Sequence, residues 1–315
     1  MLKLLVTLIC KGPMAFIIFL LLLVFACPVE AHAWGIGFHL HVGSQLLEHI
    51  GQFAPHLEAI LKAQPYDYLY GCISADITIG KKFTHYLEHC HSWRIARKLI
   101  KAAKDDRQKA CAYGYLSHLA MDTIAHSYFV PFKTIRSFNT VMLKHAYWEM
   151  RIEAEIPAAT WTLARNLARK NYQHNDAMLR SIVADTIFSF GTNKRLFNSL
   201  LLLNRLQHWQ KILRSINRAS RWTIDGEDID EYFTLSYEAA ASILADMERS
   251  PYWRADPAGE RALGAASEIR KSLNLLWLDG KLTEQEADRL IAELKPRLKE
   301  GITDPDHLLD LLSAG

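Results

Sequence analysis

From His39 onward, apolar residues recur at three- and four-residue intervals, and strand-like alternation over four or more residues is almost absent. Leu40, Leu46, Leu47, Ile50, Phe53, Leu57, Ile60 and Leu61 set the pattern in the first stretch, which Pro65 closes. A stripe with that period is buried by packing helix on helix, so the expected fold is an all-α, multi-helix array. Helices are expected at 92–104, 108–128, 138–170, 175–189, 195–218, 232–248, 258–277, 283–299 and 304–313. Residues 66–90 are less regular, with Gly71 and Gly80 marking a loop. The acidic run TIDGEDIDE (223–231) suggests a boundary between residues 34–222 and a C-terminal helical region, 223–315. The loop chemistry of PYWRADPAGE makes the part beyond about residue 250 read as an appended segment. Within it, LDGKLTEQEADRL lacks the alternating carboxylates of a calcium loop. It reads as a turn and helix start, with Thr283 as cap and Glu286 three residues later.

The first 33 residues read as an address. Lys3 and Lys11 precede the apolar run FIIFLLLLVFA, and Ala31-His32-Ala33 is a small-residue cleavage site. That order describes a secretory signal peptide, residues 1–33, and predicts an exported protein, periplasmic or secreted. The alternative is an uncleaved membrane anchor, although Met14–Cys27 is short for a span of about 20 residues. Cleavage leaves Cys72, Cys90 and Cys111, of which at most one intrachain pair, such as Cys72–Cys111, forms a disulfide.

Charge narrows the partners. With 37 basic and 34 acidic residues the chain is too balanced for nucleic acid to be the preferred partner. One stretch is locally basic: Lys194 to Arg221 carries seven cations and no acid, interleaved with Leu196, Phe197, Leu200 and Trp209. This is either a core helix with a solvated basic face or a surface for peripheral contact with anionic lipid.

Histidine carries the chemistry. Ten of the 14 histidines lie between His39 and His145. In GYLSHLAMDTIAHSYF, His118, Asp122 and His126 fall at i, i+4 and i+8. On a regular helix they span roughly 80° of one face and on the order of 12 Å of axis. One ion with bonds of about 2.0–2.2 Å cannot easily take both histidines, so a metal reading requires more than one ion, with Asp122 bridging. His145 and Glu149 again share one helix face. Asp76 sits among small neighbours in GCISADITIG, and His85, His89 and His91 follow in THYLEHCHSW. Taken singly, each element has a plainer reading: core histidines, a turn aspartate, a solvated ion pair. Cleavage after Ala33 would add a donor of its own, because the amine and carbonyl of an N-terminal Trp34 chelate a metal as a five-membered ring.

Taken in order, Trp34-Gly-x-x-x-His39, GCISAD, His91-Ser-Trp, GYLSHLAMDTIAHS and HAYWE resemble the bacterial zinc-dependent phospholipase C family. The stretch around His118 and His126 is also similar to the amino-terminal domain of glycosylphosphatidylinositol-specific phospholipase D, and more distantly to zinc-dependent single-strand nucleases of the same helical fold. The motifs cover roughly residues 34–160, and the helical pattern extends the resemblance to 222.

The resemblance implies three Zn2+ ions. Trp34 and His39 would hold one; Asp76, His91 and His118 a second; Asp122 would bridge these two; His126, His145 and Glu149 would hold the third. His85 is the alternative to His91, which its aromatic context and its distance from Asp76 favour. The implied activity is hydrolysis of a phosphodiester, with phospholipid as substrate and Asp76 as both ligand and general base. No separate serine nucleophile is required, and no G-x-S-x-G occurs. The alternatives are a nuclease or other phosphodiesterase on the same zinc core, or a non-catalytic metal- or lipid-binding module. Two departures stand out: Asp122 and His126 are closer in sequence than in the family's secreted phospholipases, and Ile77 replaces the aromatic residue that helps those enzymes hold choline.

Overall fold

The computed structural model describes residues 34–78, 90–140, 145–183, 189–203, 224, 226–305 and 310. The signal-peptide reading, His85, His89 and most of the basic stretch 194–221 lie outside them, as does the expected boundary at 222/223. Among the described residues there is no strand, and no helix is long and apolar enough to cross a membrane. In chain order the helices are α1 (Ile36–Glu48), α2 (Pro55–Ala63), α3 (Pro65–Ser74), α4 (Trp93–Ala102) and α5 (Asp106–Ile124). A π turn (Ala125–Phe129) follows and leads into α6 (Val130–Arg136), then α7 (His145–Glu153), α8 (Ala158–Ala168), α9 (Gln173–Ile182) and α10 (Phe190–Leu203). The last described helices are α11 (Gly226–Ala245), α12 (Glu260–Leu278) and α13 (Glu284–Glu300), and the helix expected at 304–313 falls largely outside the described residues. The all-α expectation holds.

The α5 helix is the axis of the fold. Every residue from Gly114 to Ile124 is buried, the polar Ser117, His118, Asp122 and Thr123 included. The α3 and α11 helices make its most extensive contacts, and α1, α2, α4 and α9 also touch it. At the α3–α5 crossing Gly71 faces Gly114. A Cβ on Gly71 would lie closer than 3.0 Å to the Cys111 carbonyl, and one on Gly114 equally close to the Tyr68 carbonyl. Gly71 is therefore a helix-crossing residue and not loop punctuation. Likewise Pro65 opens α3 at its first turn, where a missing N–H costs nothing, and does not simply close the preceding helix.

The first helical stretch is also broken, at His49–Ala54, and 138–170 divides into α7 and α8. The break within 108–128 matters most. Pro131 has no N–H to offer, and its ring crowds the carbonyl four residues back. The ladder widens accordingly, and Val130 N–H reaches the Ala125 carbonyl. Thr283 and Glu286 form the expected capping box at the start of α13. Cys72, Cys90 and Cys111 are all buried and free, so no Cys72–Cys111 bridge forms. Burial pushes the Cys72 thiol up to about 12, which leaves it inert.

An ion network that is buried at Lys133 ties the C-terminal helices to α6. Lys133 is fully buried, with Nζ 2.7 Å from Asp228 Oδ2. Lys295 reaches Asp228 Oδ1 at 2.7 Å, and Glu231 accepts from Tyr128 Oη at 2.9 Å and from Lys299 at 2.8 Å. Asp228→Ala strands a buried ammonium and is expected to cost about 3 kcal/mol in urea unfolding. Lys133→Met, which removes the charge and keeps the volume, should cost clearly less; equal losses would contradict this account.

Candidate metal centre

Five of the candidate side chains converge beside the middle of α5. His118 and Asp122 sit one turn apart on it, His39 comes from α1, Asp76 from the single 3-10 turn after α3, and His91 from the turn before α4. All five are buried. His91 Nε2 stands 3.0 Å from Asp122 Oδ2, 3.1 Å from His118 Nε2 and 3.4 Å from Asp76 Oδ1. His118 Nε2 stands 3.2 Å from Asp122 Oδ2 and 3.8 Å from Asp76 Oδ1. The other Asp122 oxygen, Oδ1, faces His39 Nε2 at 3.3 Å, so the carboxylate addresses His39 with one oxygen and the His91/His118 pair with the other.

These separations fit a metal. Four donors about 2.0–2.2 Å from one zinc, at tetrahedral angles, stand about 3.3–3.6 Å from one another. The hydrogen-bonding pattern fits as well. His118 Nδ1 lies 2.8 Å from the Cys72 carbonyl, which only accepts, so Nδ1 carries the proton and Nε2 presents a lone pair. That lone pair is turned on His91 Nε2 and on two carboxylates. Both ring nitrogens of His39 and both oxygens of Asp122 are buried without a hydrogen bond. Orphaned atoms of this kind are rare in a core, and here they face one another. An arrangement of this kind could hold a cation, and the all-N/O donor set suits zinc.

Electrostatics keep the donors in ligand form. Burial lowers His39 to about 4, so its imidazole is neutral at pH 7. Burial alone would raise Asp122, but the imidazoles of His118, His39 and His91 around it hold its carboxyl well below the usual range.

The other four candidates are His126, His145, Glu149 and Trp34. The His126 ring centroid is 6.5 Å from that of His91, and its Nδ1 donates to the Pro257 carbonyl at 2.5 Å. His126 lies at the start of the π turn, so the regular α spacing expected through His118, Asp122 and His126 ends at this residue. Glu149 is buried on α7; His145 heads the same helix, but its side chain is not among the described ones. Trp34 is fully buried, stacked on Phe38 at 4.0 Å and Phe129 at 4.7 Å. Its indole N–H donates to the Met121 carbonyl at 2.9 Å, which holds residue 34 beside the helix segment that carries Asp122. Ile77 is fully buried and presents no surface to a head group. A separate cleft of about 480 Å3, lined by Tyr66, Arg107 and Lys170 among others, contains none of the candidates.

Glu153 escapes a reading of motifs. Its carboxylate accepts from Phe38 N–H at 2.9 Å and Gly37 N–H at 3.2 Å, so α7 caps α1 just ahead of His39. Gly35 and Gly37 make room: a Cβ on either would meet the Glu153 carboxylate closer than 3.0 Å. Burial raises Glu153 to about 7 against the pull of those two N–H groups. The unfolded chain releases this proton near its ordinary value of 4.5, earlier than the folded chain does. The Glu153 contribution to stability therefore drops as pH climbs from about 4.5 to about 7, by about 3 kcal/mol in all, while His39, lowered to about 4, works in the opposite direction over much of that window. The Glu153 share is read as the difference between wild type and Glu153→Gln in thermal melts of metal-free protein, which should change across that window. An identical slope in the variant would refute the assignment.

Residues 38–190 match the model of the zinc-dependent phospholipase C family. No curated protein and no solved structure matches the chain. The matched stretch starts just before His39 and runs past Glu149, and so encloses every candidate side chain except Trp34. With its helical fold and its converging imidazoles and carboxylates, the chain is similar over residues 38–190 to the zinc-dependent phospholipase C family.

Proposed function

We propose that the protein is an exported zinc phosphodiesterase that cleaves phospholipids in the manner of a phospholipase C, between the glycerol oxygen and the head-group phosphate. The observation that carries this reading is the set of buried donor atoms 3.0–3.8 Å apart around Asp122, with the His39 and Asp122 atoms orphaned. In this reading three ions are held. Trp34, through its amine and carbonyl, and His39 bind one; Asp76, His91 and His118 bind the second; Asp122 spans both; His126, His145 and Glu149 bind the third.

Bound zinc would supply positive charge against the phosphate oxygens and the leaving alkoxide, and would acidify a water. The protein's own part is orientation and proton traffic. The Cys72 carbonyl fixes the His118 tautomer, and burial keeps His39 neutral. Asp76, at the rim of the cluster with 5% of its surface exposed, is placed to accept the proton of the attacking water. A buried Ile77 in place of an aromatic ring removes the case for a preference for choline.

The test is a side-by-side assay of zinc-loaded protein on phosphatidylcholine vesicles, phosphatidylethanolamine vesicles and single-stranded DNA. Release of diacylglycerol and phosphorylated head group is expected. A chelator should abolish it, zinc should restore it, and chelation should lower the melting temperature, since a ligand at about 1,000 times its Kd stabilises by about 4 kcal/mol. Hydrolysis of DNA alone would favour a nuclease, and inactivity on all three with zinc bound would leave a binding module.

A further inference from the structure

We propose that the segment Trp253–Gly259, well beyond the family-matched residues, is a working part of the metal centre: it braces the His91 loop and sets the ring of His126. The inference rests on the reading of His91 and His126 as ligands. Three contacts carry it. The Pro257 carbonyl takes the Nδ1 proton of His126 at 2.5 Å, which leaves Nε2 as the bare donor. Two residues after His91, the Trp93 indole N–H donates to the Ala255 carbonyl at 2.8 Å. Gly259, at φ +62°, lies so close to His126 that a Cβ would come within 3.0 Å of the histidine's own Cβ and main chain.

The segment is stiff enough to serve as a brace. Asp256 accepts from Ala258 N–H at 2.9 Å and Glu260 N–H at 3.0 Å, which knits the turn to the start of α12. Trp253 packs on Trp93, with ring centroids 5.1 Å apart, and lies under the Arg97 guanidinium at 4.7 Å. Two carbonyls two residues apart thus reach two candidate ligand segments that are remote in sequence. A histidine that ligates through Nε2 needs its Nδ1–H engaged, and removing such a partner typically weakens metal binding about 10–100-fold.

The experiment uses the full chain and compares Gly259→Ala with Gly280→Ala. Gly280 has nearly the same backbone, φ +68°, but no atom within 4 Å of a Cβ, so it reports left-handed strain alone. Zinc affinity is read by competition with a chromogenic chelator, and the His126 Nδ1–H by nitrogen-15 NMR of metal-free protein, assigned with His126→Gln. Gly259→Ala should weaken the affected zinc about 10–100-fold and shift or erase the Nδ1–H signal, while Gly280→Ala changes neither. Should Gly259→Ala not fold, Trp93→Phe keeps the ring and loses the N–H to Ala255, and it should weaken zinc in the same direction by a smaller factor. Wild-type affinity with an unmoved Nδ1–H signal in folded Gly259→Ala overturns the inference alone. So does unchanged affinity in Trp93→Phe when Gly259→Ala cannot be measured. A wild-type chain that binds no zinc overturns the reading of the site and this inference with it.

Discussion

Asp122→Asn is expected to strip the protein of most of its zinc and to lower phosphodiester hydrolysis at least about a thousandfold, since metal charge is worth several kcal/mol and each 1.36 kcal/mol is tenfold in rate. The reason lies in the two oxygens. One faces His39 at 3.3 Å and the other faces His91 at 3.0 Å and His118 at 3.2 Å. An amide keeps the shape but supplies only one acceptor, and it turns an N–H2 toward donors that need a cation. It also removes the carboxylate that faces all three imidazoles. Elemental analysis of the purified variant, beside its far-ultraviolet dichroism, separates loss of metal from loss of fold. A folded Asp122→Asn protein with the full metal complement would refute the central role given to this carboxylate.

Gly114→Val is expected not to fold, and Gly114→Ala to be severely destabilised. Overpacking a core usually costs about 1–3 kcal/mol because a neighbouring side chain gives way. Here the obstacles are the Tyr68 carbonyl, the Cys72 amide and the Gly71 Cα, all main chain of a packed helix. Relief requires α3 to move bodily off α5. That movement carries Asp76, just past the end of α3, away from His118 and Asp122 on α5. Even where Gly114→Ala folds, metal affinity should drop with stability. Solubility, denaturant midpoint and zinc content together check this. A Gly114→Val protein of wild-type stability would show that the crossing is not as tight as described.

The two glycines show where a linear reading stops. Gly71 sits in a stretch whose pattern is irregular, and a glycine there has the ordinary meaning of a turn. Its actual role depends on a second glycine 43 positions later, and nothing local connects the two. Glu153 is similar: an acid on an amphipathic helix looks solvated until α1 is found against it. Pro257 acts through its carbonyl, which every residue has, so no residue type announces it. The π turn was more accessible, since Pro131 follows His126 at a spacing that a continuous α ladder does not tolerate.

What the chain declared alone was its helical class and the residue types of a metal site. Period and chemistry are local: the three- and four-residue recurrence of apolar positions demands helix packing, and imidazole and carboxylate at i and i+4 share a helix face wherever that helix goes. The tertiary structure decided which donors meet and how they are aimed. The convergence of His39, Asp76, His91, His118 and Asp122 depends on a glycine crossing and a carboxylate cap. Each of these is a contact between segments far apart in sequence, and distance along the chain carries no information about distance in space.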